Sequence, residues 1–106
     1  MTQEERFKAE TRIVEMLKKV YDPEISVDVY KLGLIYKIDL QDDGHLDIDM
    51  TMTSPTCPMA DFILEDVRQR TGAVEHVKSV QVNLVFEPEW TKEMMSEEAM
   101  LELGFL

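Results

Sequence analysis

Residues 34–52 read Leu34-Ile35-Tyr36-Lys37-Ile38-Asp39-Leu40-Gln41-Asp42-Asp43-Gly44-His45-Leu46-Asp47-Ile48-Asp49-Met50-Thr51-Met52. Leu34, Tyr36, Ile38 and Leu40 alternate with Ile35, Lys37 and Asp39, the period of a strand with one strongly apolar face. Leu46, Ile48, Met50 and Met52 alternate with Asp47, Asp49 and Thr51 and predict a second strand of the same kind. Between them Asp42-Asp43-Gly44 is a hairpin turn signal, so the two strands should pair.

Upstream of the hairpin, Thr2 and Glu5 have the spacing of a capping box. Ile13, Met16, Leu17 and Val20 follow at helical spacing, and Asp22-Pro23 should end that helix. Downstream, Pro58 suits the first position of a second helix, with Met59, Phe62, Ile63 and Val67 as its apolar stripe and Thr71-Gly72 as its end. Val80, Val82, Leu84 and Phe86 alternate with Gln81 and Asn83 as a third strand, and an amphipathic tail runs from about Ser96 to Leu103 before Gly104.

The fold class that follows is α+β. It is a two-layer α/β arrangement with a three-stranded mixed or antiparallel sheet, in the order helix-strand-strand-helix-strand plus a C-terminal helical tail. Both main helices should cover the apolar side of the sheet. Lys37, Asp39, Asp47, Asp49, Thr51, Gln81 and Asn83 should form its other face, turned to water or a partner. Met50, Met52 and Met59 read as core filling.

At 106 residues the chain is expected to be a single domain spanning 1–106. Its net charge of −11, from 22 acidic and 11 basic residues, repels phosphate backbones and anionic lipid, which argues against nucleic-acid and membrane binding. The charge suits a basic protein partner, a cationic metal species, or simply solubility. One cysteine permits no internal disulfide, the N-terminus does not read as a signal peptide, and no apolar run has the length of a membrane span. A reducing cytoplasm is the expected location.

The most informative stretch for chemistry is Thr51-Met52-Thr53-Ser54-Pro55-Thr56-Cys57-Pro58. It is a strand-to-helix junction, with Cys57 expected at or next to the helix N-cap. Unpaired amides there, with the helix dipole, favour a thiolate, the form that binds metal or attacks an electrophile. Thr53, Ser54 and Thr56 add hydroxyls. The plainer alternative is a buried cysteine acting as a small hydrophobe. The turn Asp22-Pro23-Glu24-Ile25 sets two carboxylates around a rigid proline and gains meaning only if the fold brings it near Cys57. His45 in the hairpin turn and His76 before the third strand read as exposed loop residues. Trp90 reads as pinning the tail, with anchoring a partner as the alternative.

Asp22-Pro23-Glu24-Ile25, Leu32-Gly33-Leu34-Ile35-Tyr36, Thr51-Met52-Thr53-Ser54 with Cys57-Pro58, Pro88 with Trp90, and Met95-Ser96-Glu97-Glu98-Ala99 with Leu103-Gly104 occur in that order. Together they resemble the iron–sulfur cluster assembly domain-like family, which includes bacterial SufT proteins, PaaD-type subunits of phenylacetate degradation and eukaryotic cytosolic iron–sulfur targeting factors. The family often has two prolines before the tryptophan, whereas here Glu89 follows Pro88. The resemblance implies the same helix–strand order, a role in maturing iron–sulfur proteins, and one pocket made of Asp22, Glu24, Ile25, Thr53, Ser54 and Cys57.

Iron–sulfur clusters usually take four protein ligands, and this chain offers one thiolate. The expectation is therefore an adaptor or transient cluster carrier, not an enzyme, with Cys57 as a transient metal ligand and no tightly bound cofactor. Its partners would be iron–sulfur assembly or recipient proteins, with a homodimer as one way to supply a second thiol. The alternatives are a cysteine-dependent hydrolase or redox enzyme, which needs a base within reach of the sulfur, and a PaaD-like accessory subunit of an oxygenase system.

Overall fold

The computed structural model describes residues 1–23, 25–54 and 56–105. Helix α1 (Gln3–Leu17) starts on the expected capping box. The Thr2 hydroxyl accepts from the Glu5 amide at 3.0 Å, and the Glu5 carboxylate accepts from the Thr2 amide at 2.7 Å. The helix stops at Leu17, short of the Asp22-Pro23 boundary expected from proline alone. The Val20 carbonyl is taken by the Val29 amide at 2.9 Å, and Tyr21 bridges to Asp28. This pairing folds the chain into a loop that buries Val20, Val27 and Val29 in the core.

Strands β1 (Ile35–Leu40) and β2 (His45–Met50) pair antiparallel across a turn in which Gly44 has φ +91°, a conformation open to glycine. The ladder slips between Ile35 and Lys37: Ile35 faces Met50 while Lys37 faces Asp49. This bulge leaves Tyr36 out of register. Instead of filling the core, Tyr36 is half-buried and its hydroxyl donates to the Pro88 carbonyl at 2.8 Å.

Helix α2 (Ala60–Gly72) crosses over to β3 (Ser79–Leu84), which lies parallel to β2 with Val80, Val82 and Leu84 opposite Leu46, Ile48 and Met50. The sheet is therefore mixed, in the order β1-β2-β3. Phe86 lies beyond β3 and is 43% exposed, so it does not continue the apolar face as the alternation suggested.

The core joins Ile13 and Leu17 of α1, Ile63 and Val67 of α2, and Leu46, Ile48 and Met50 of β2. Met52 is buried as expected, but Met59 and Phe62 are 36% and 58% exposed. Helix α2 turns Ile63, Val67 and Thr71 inward, a four-residue spacing that points Phe62 about 100° away. On the other side of the sheet, Lys37 pairs with Asp47 at 3.1 Å, and the Asn83 amide donates to Asp47 and Asp49. Thr51 does not join this polar face. It follows the last residue of β2, its amide bonds the Leu34 carbonyl at 2.8 Å, and it is 1% exposed.

The tail closes the structure with a 3-10 turn, Lys92–Met94, and helix α3 (Glu97–Glu102), whose Ser96 cap accepts from the Ala99 amide. Met95 and Ala99 enter the core, and Lys31 ties α3 down through Glu98 at 3.0 Å. Among the described residues no helix is long and apolar enough to cross a membrane.

Candidate functional site

The loop between β2 and α2 carries Cys57. The chain turns at Ser54, whose carbonyl accepts from the Cys57 amide and whose hydroxyl meets that of Thr56 at 3.1 Å. Cys57 then closes a further turn, its carbonyl accepting from the Ala60 amide at 3.3 Å. Helix α2 starts only at Ala60, with Met59 as its cap at φ −100° and no capping side chain. Cys57 thus precedes the helix by more than the expected single step. The bend at Met59 has non-helical backbone angles, so Pro58 sits in the turn and not in the first helical position.

What faces the sulfur is a carboxylate. Cys57 is half-buried, and its Sγ lies 4.0 Å from Oδ2 of Asp22, within the long reach of a weak thiol hydrogen bond. Asp22 is only 7% exposed, and its carbonyl accepts from the Ile25 amide at 3.0 Å. Ile25 packs against the core and borders a cleft of about 510 Å³ together with Thr53. The acidic turn and the cysteine loop therefore meet, with Asp22 and Cys57 in contact and Ile25 and Thr53 on the adjoining cleft. Ser54 bonds within its own loop. Glu24 lies outside the described residues.

Residues distant in sequence complete the cleft: Trp90, Met95, Leu103 and Phe105 from the tail join Ile25 and Thr53. The Trp90 indole donates to the Leu32 carbonyl at 2.7 Å, the pinning contact expected of a lone tryptophan in a polar stretch. The tail's share of the cleft had no local signature, since Leu103 and Phe105 read only as the end of an amphipathic helix. Lys92 stands over the Phe105 ring, 4.9 Å from its centre, a cation–π pair at the cleft.

The histidines are held elsewhere. His45 Nδ1 meets Ser79 Oγ at 2.6 Å, at the end of β2 opposite the cysteine loop. His76 Nε2 lies 3.5 Å from the Glu5 carboxylate. Among the described residues no cluster of three or more histidine, cysteine or acidic side chains stands together to hold a metal. Cys57 and Asp22 offer two donors, a partial ligand set.

Residues 10–84 match the family model described as iron–sulfur cluster assembly protein. The chain is 60% identical over 102 residues to an Fe–S protein maturation auxiliary factor of Porphyromonas gingivalis, covering 96% of this chain and 97% of that protein. It is 41% identical over 85 residues to the Fe–S protein maturation auxiliary factor SufT of Staphylococcus aureus, covering 80% and 97%. A crystal structure of a domain of unknown function from Bacillus anthracis superposes with a TM-score of 0.87 at 39% identity, covering 94% of this chain and 95% of that one. A family-model match over residues 10–84 and a relative 60% identical across nearly the whole of both chains leave one assignment: the chain belongs to the iron–sulfur cluster assembly protein family.

Proposed function

We propose that this protein is an auxiliary factor in the maturation of iron–sulfur proteins, acting through the Cys57 loop as an adaptor or transient carrier of cluster cargo. The contact between Cys57 and Asp22 carries the reading, because it puts one soft and one hard metal donor in a half-buried position beside an open cleft. Near-full-length relatives named as Fe–S protein maturation auxiliary factors support it.

The small ligand set fits handing on better than storage. Clusters are held by about four ligands, so a cluster or iron ion at Cys57 would need donors from a carrier, a recipient or a second copy of the chain. Transfer then proceeds by ligand exchange, in which the partner's thiolates replace this chain's. On this reading the protein performs no turnover of its own, and its partners are assembly or recipient proteins in the cytoplasm. A cysteine enzyme would need a base at the sulfur. The histidines stand on Ser79 and Glu5 instead, and the group that faces the thiol is the Asp22 carboxylate, at the long distance of 4.0 Å.

The test is the Cys57→Ser variant in cells deprived of the wild-type protein. The activity of an endogenous [4Fe–4S] enzyme is measured beside the abundance of its polypeptide. Loss of activity with unchanged abundance supports the role; full activity removes Cys57 from it.

A further inference from the structure

Strand β3 has β2 on its inner flank and, among the described residues, no strand on its outer one. The Val85 amide donates to the Met50 carbonyl at 2.8 Å, which fixes the phase of the parallel ladder. Alternate residues of a strand turn their backbone groups to alternate neighbours. Those of Gln81 and Asn83 therefore turn to β2, and those of Val80, Val82 and Leu84 turn outward. Among the described residues no backbone hydrogen bond beyond the ladder reaches these three. Their side chains are half-buried, whereas Leu46, Ile48 and Met50 beside them on β2 are fully buried. The other edge of the sheet is guarded. Strand β1 carries Lys37, Asp39 and a bulge, devices that keep further strands from adding. Strand β3, Ser79-Val80-Gln81-Val82-Asn83-Leu84, carries no charge, although charged residues make up 31% of the chain.

We infer that a second copy of this chain pairs along this edge, antiparallel, about a two-fold axis at Val82. Centred there, Val82 meets its own counterpart, Val80 meets Leu84, and Gln81 meets Asn83. Apolar side chains then face apolar ones and side-chain amides face amides, the pairings that stabilise neighbouring strands. The outward groups of Val80, Val82 and Leu84 fall into the hydrogen-bonded pairs of an antiparallel ladder, so each donor finds an acceptor. An axis at Gln81 would set Leu84 against Lys78 instead. With a net charge of −11, two copies repel over most of their surface, and an uncharged strand is where they meet at least cost. The segment is flanked by opposite charges, Lys78 and Glu87, and antiparallel pairing brings each Lys78 to the Glu87 end of the other copy. The inference does not depend on the maturation role, but it bears on it. Strand β2 runs parallel to β3, so the Cys57 loops that follow β2 leave the joined sheet at opposite ends. Strand spacings put the two Met50 residues about 14 Å apart across the sheet and about 13 Å along it. Thiols on such loops do not share one cluster, so in this dimer the missing ligands come from a carrier or a recipient.

The test is sedimentation equilibrium of the purified full chain, with amide hydrogen exchange read residue by residue by NMR. The expected result is a monomer–dimer equilibrium, with exchange at Val80, Val82 and Leu84 that slows as the protein concentration rises. Val82→Pro removes the outward amide at the axis and leaves the ladder to β2 its bonds, a place where an edge strand tolerates proline. Because the two-fold uses this amide twice, the dissociation constant should rise about tenfold or more. A monomer at every concentration up to the solubility limit would overturn the inference. So would a dimer in which these three amides exchange as fast as in the monomer, or an unchanged dissociation constant in folded Val82→Pro. The exchange measurement needs no variant, so it decides the matter even where Val82→Pro does not fold. Cys57→Ser should dimerise as the wild type does, so this test and the maturation assay fail independently.

Discussion

The thiol of Cys57 lies 4.0 Å from the carboxylate of Asp22, a residue 35 positions earlier in the chain. The two sit on loops at the ends of different elements, one after α1 and one after β2. Their meeting makes the acidic turn part of the same site as the cysteine.

This contact sets the first prediction. Asp22→Asn removes the hard donor while keeping the side chain's shape, so maturation of the cluster enzyme should fall as it does for Cys57→Ser. Thermal melting of the purified variant separates loss of function from loss of fold. A variant that melts as the wild type yet supports full maturation would leave Asp22 with a structural part only.

The second prediction concerns the tail. Gly33 has φ +78°, and a Cβ there would drive into the Met94 carbonyl. Gly33→Ala should therefore cost about 2–3 kcal/mol, through strain and the displaced 3-10 turn. Trp90→Phe strands the Leu32 carbonyl that the indole now satisfies, and should cost about 1–2 kcal/mol. Urea unfolding of both variants, with Trp90 fluorescence as the probe for the first, checks these values. Wild-type midpoints would show that the tail is not held by these contacts.

Helix α2 supplies a paired prediction. Ile63 is fully buried, so Ile63→Ala should lose about 2–5 kcal/mol. Its neighbour Phe62 is 58% exposed, and Phe62→Ser should change stability by less than about 0.5 kcal/mol. Equal losses at the two positions would contradict the inward stripe of Ile63, Val67 and Thr71.

The fourth prediction is a pH dependence. Hydrogen bonds from Arg68 and then Gln69 hold the Glu65 carboxyl down from 4.5 to about 2. A carboxyl lowered in the folded state adds stability above its unfolded value and loses that gain as pH falls through the folded one. The melting temperatures of the wild type and Glu65→Gln should therefore differ above pH 4.5 and converge as the pH falls toward 2. The difference should be small, because the pair is exposed, and it should shrink in salt. A constant gap across this range would mean that the pair adds nothing through charge.

The sequence by itself determined the hairpin, the capped first helix, the helix-strand-strand-helix-strand order and the single cysteine. Each depends on neighbours in the chain: a period of two for strands, a period near four for helices, a capping spacing, a single cysteine. Where local signals failed, a contact from elsewhere had won. The Val20 carbonyl went to Val29 and ended α1 early, and the bulge at Ile35–Lys37 left Tyr36 to bond the tail. The turn after Cys57 delayed α2 to Ala60, and the inward stripe of Ile63, Val67 and Thr71 leaves Met59 and Phe62 outside the core. Only the tertiary structure decided that Asp22 would face Cys57 and that Trp90 and Phe105 would wall the adjoining cleft. Those approaches join residues tens of positions apart. They are set by how helices and tail pack on the sheet, and no local periodicity encodes that packing.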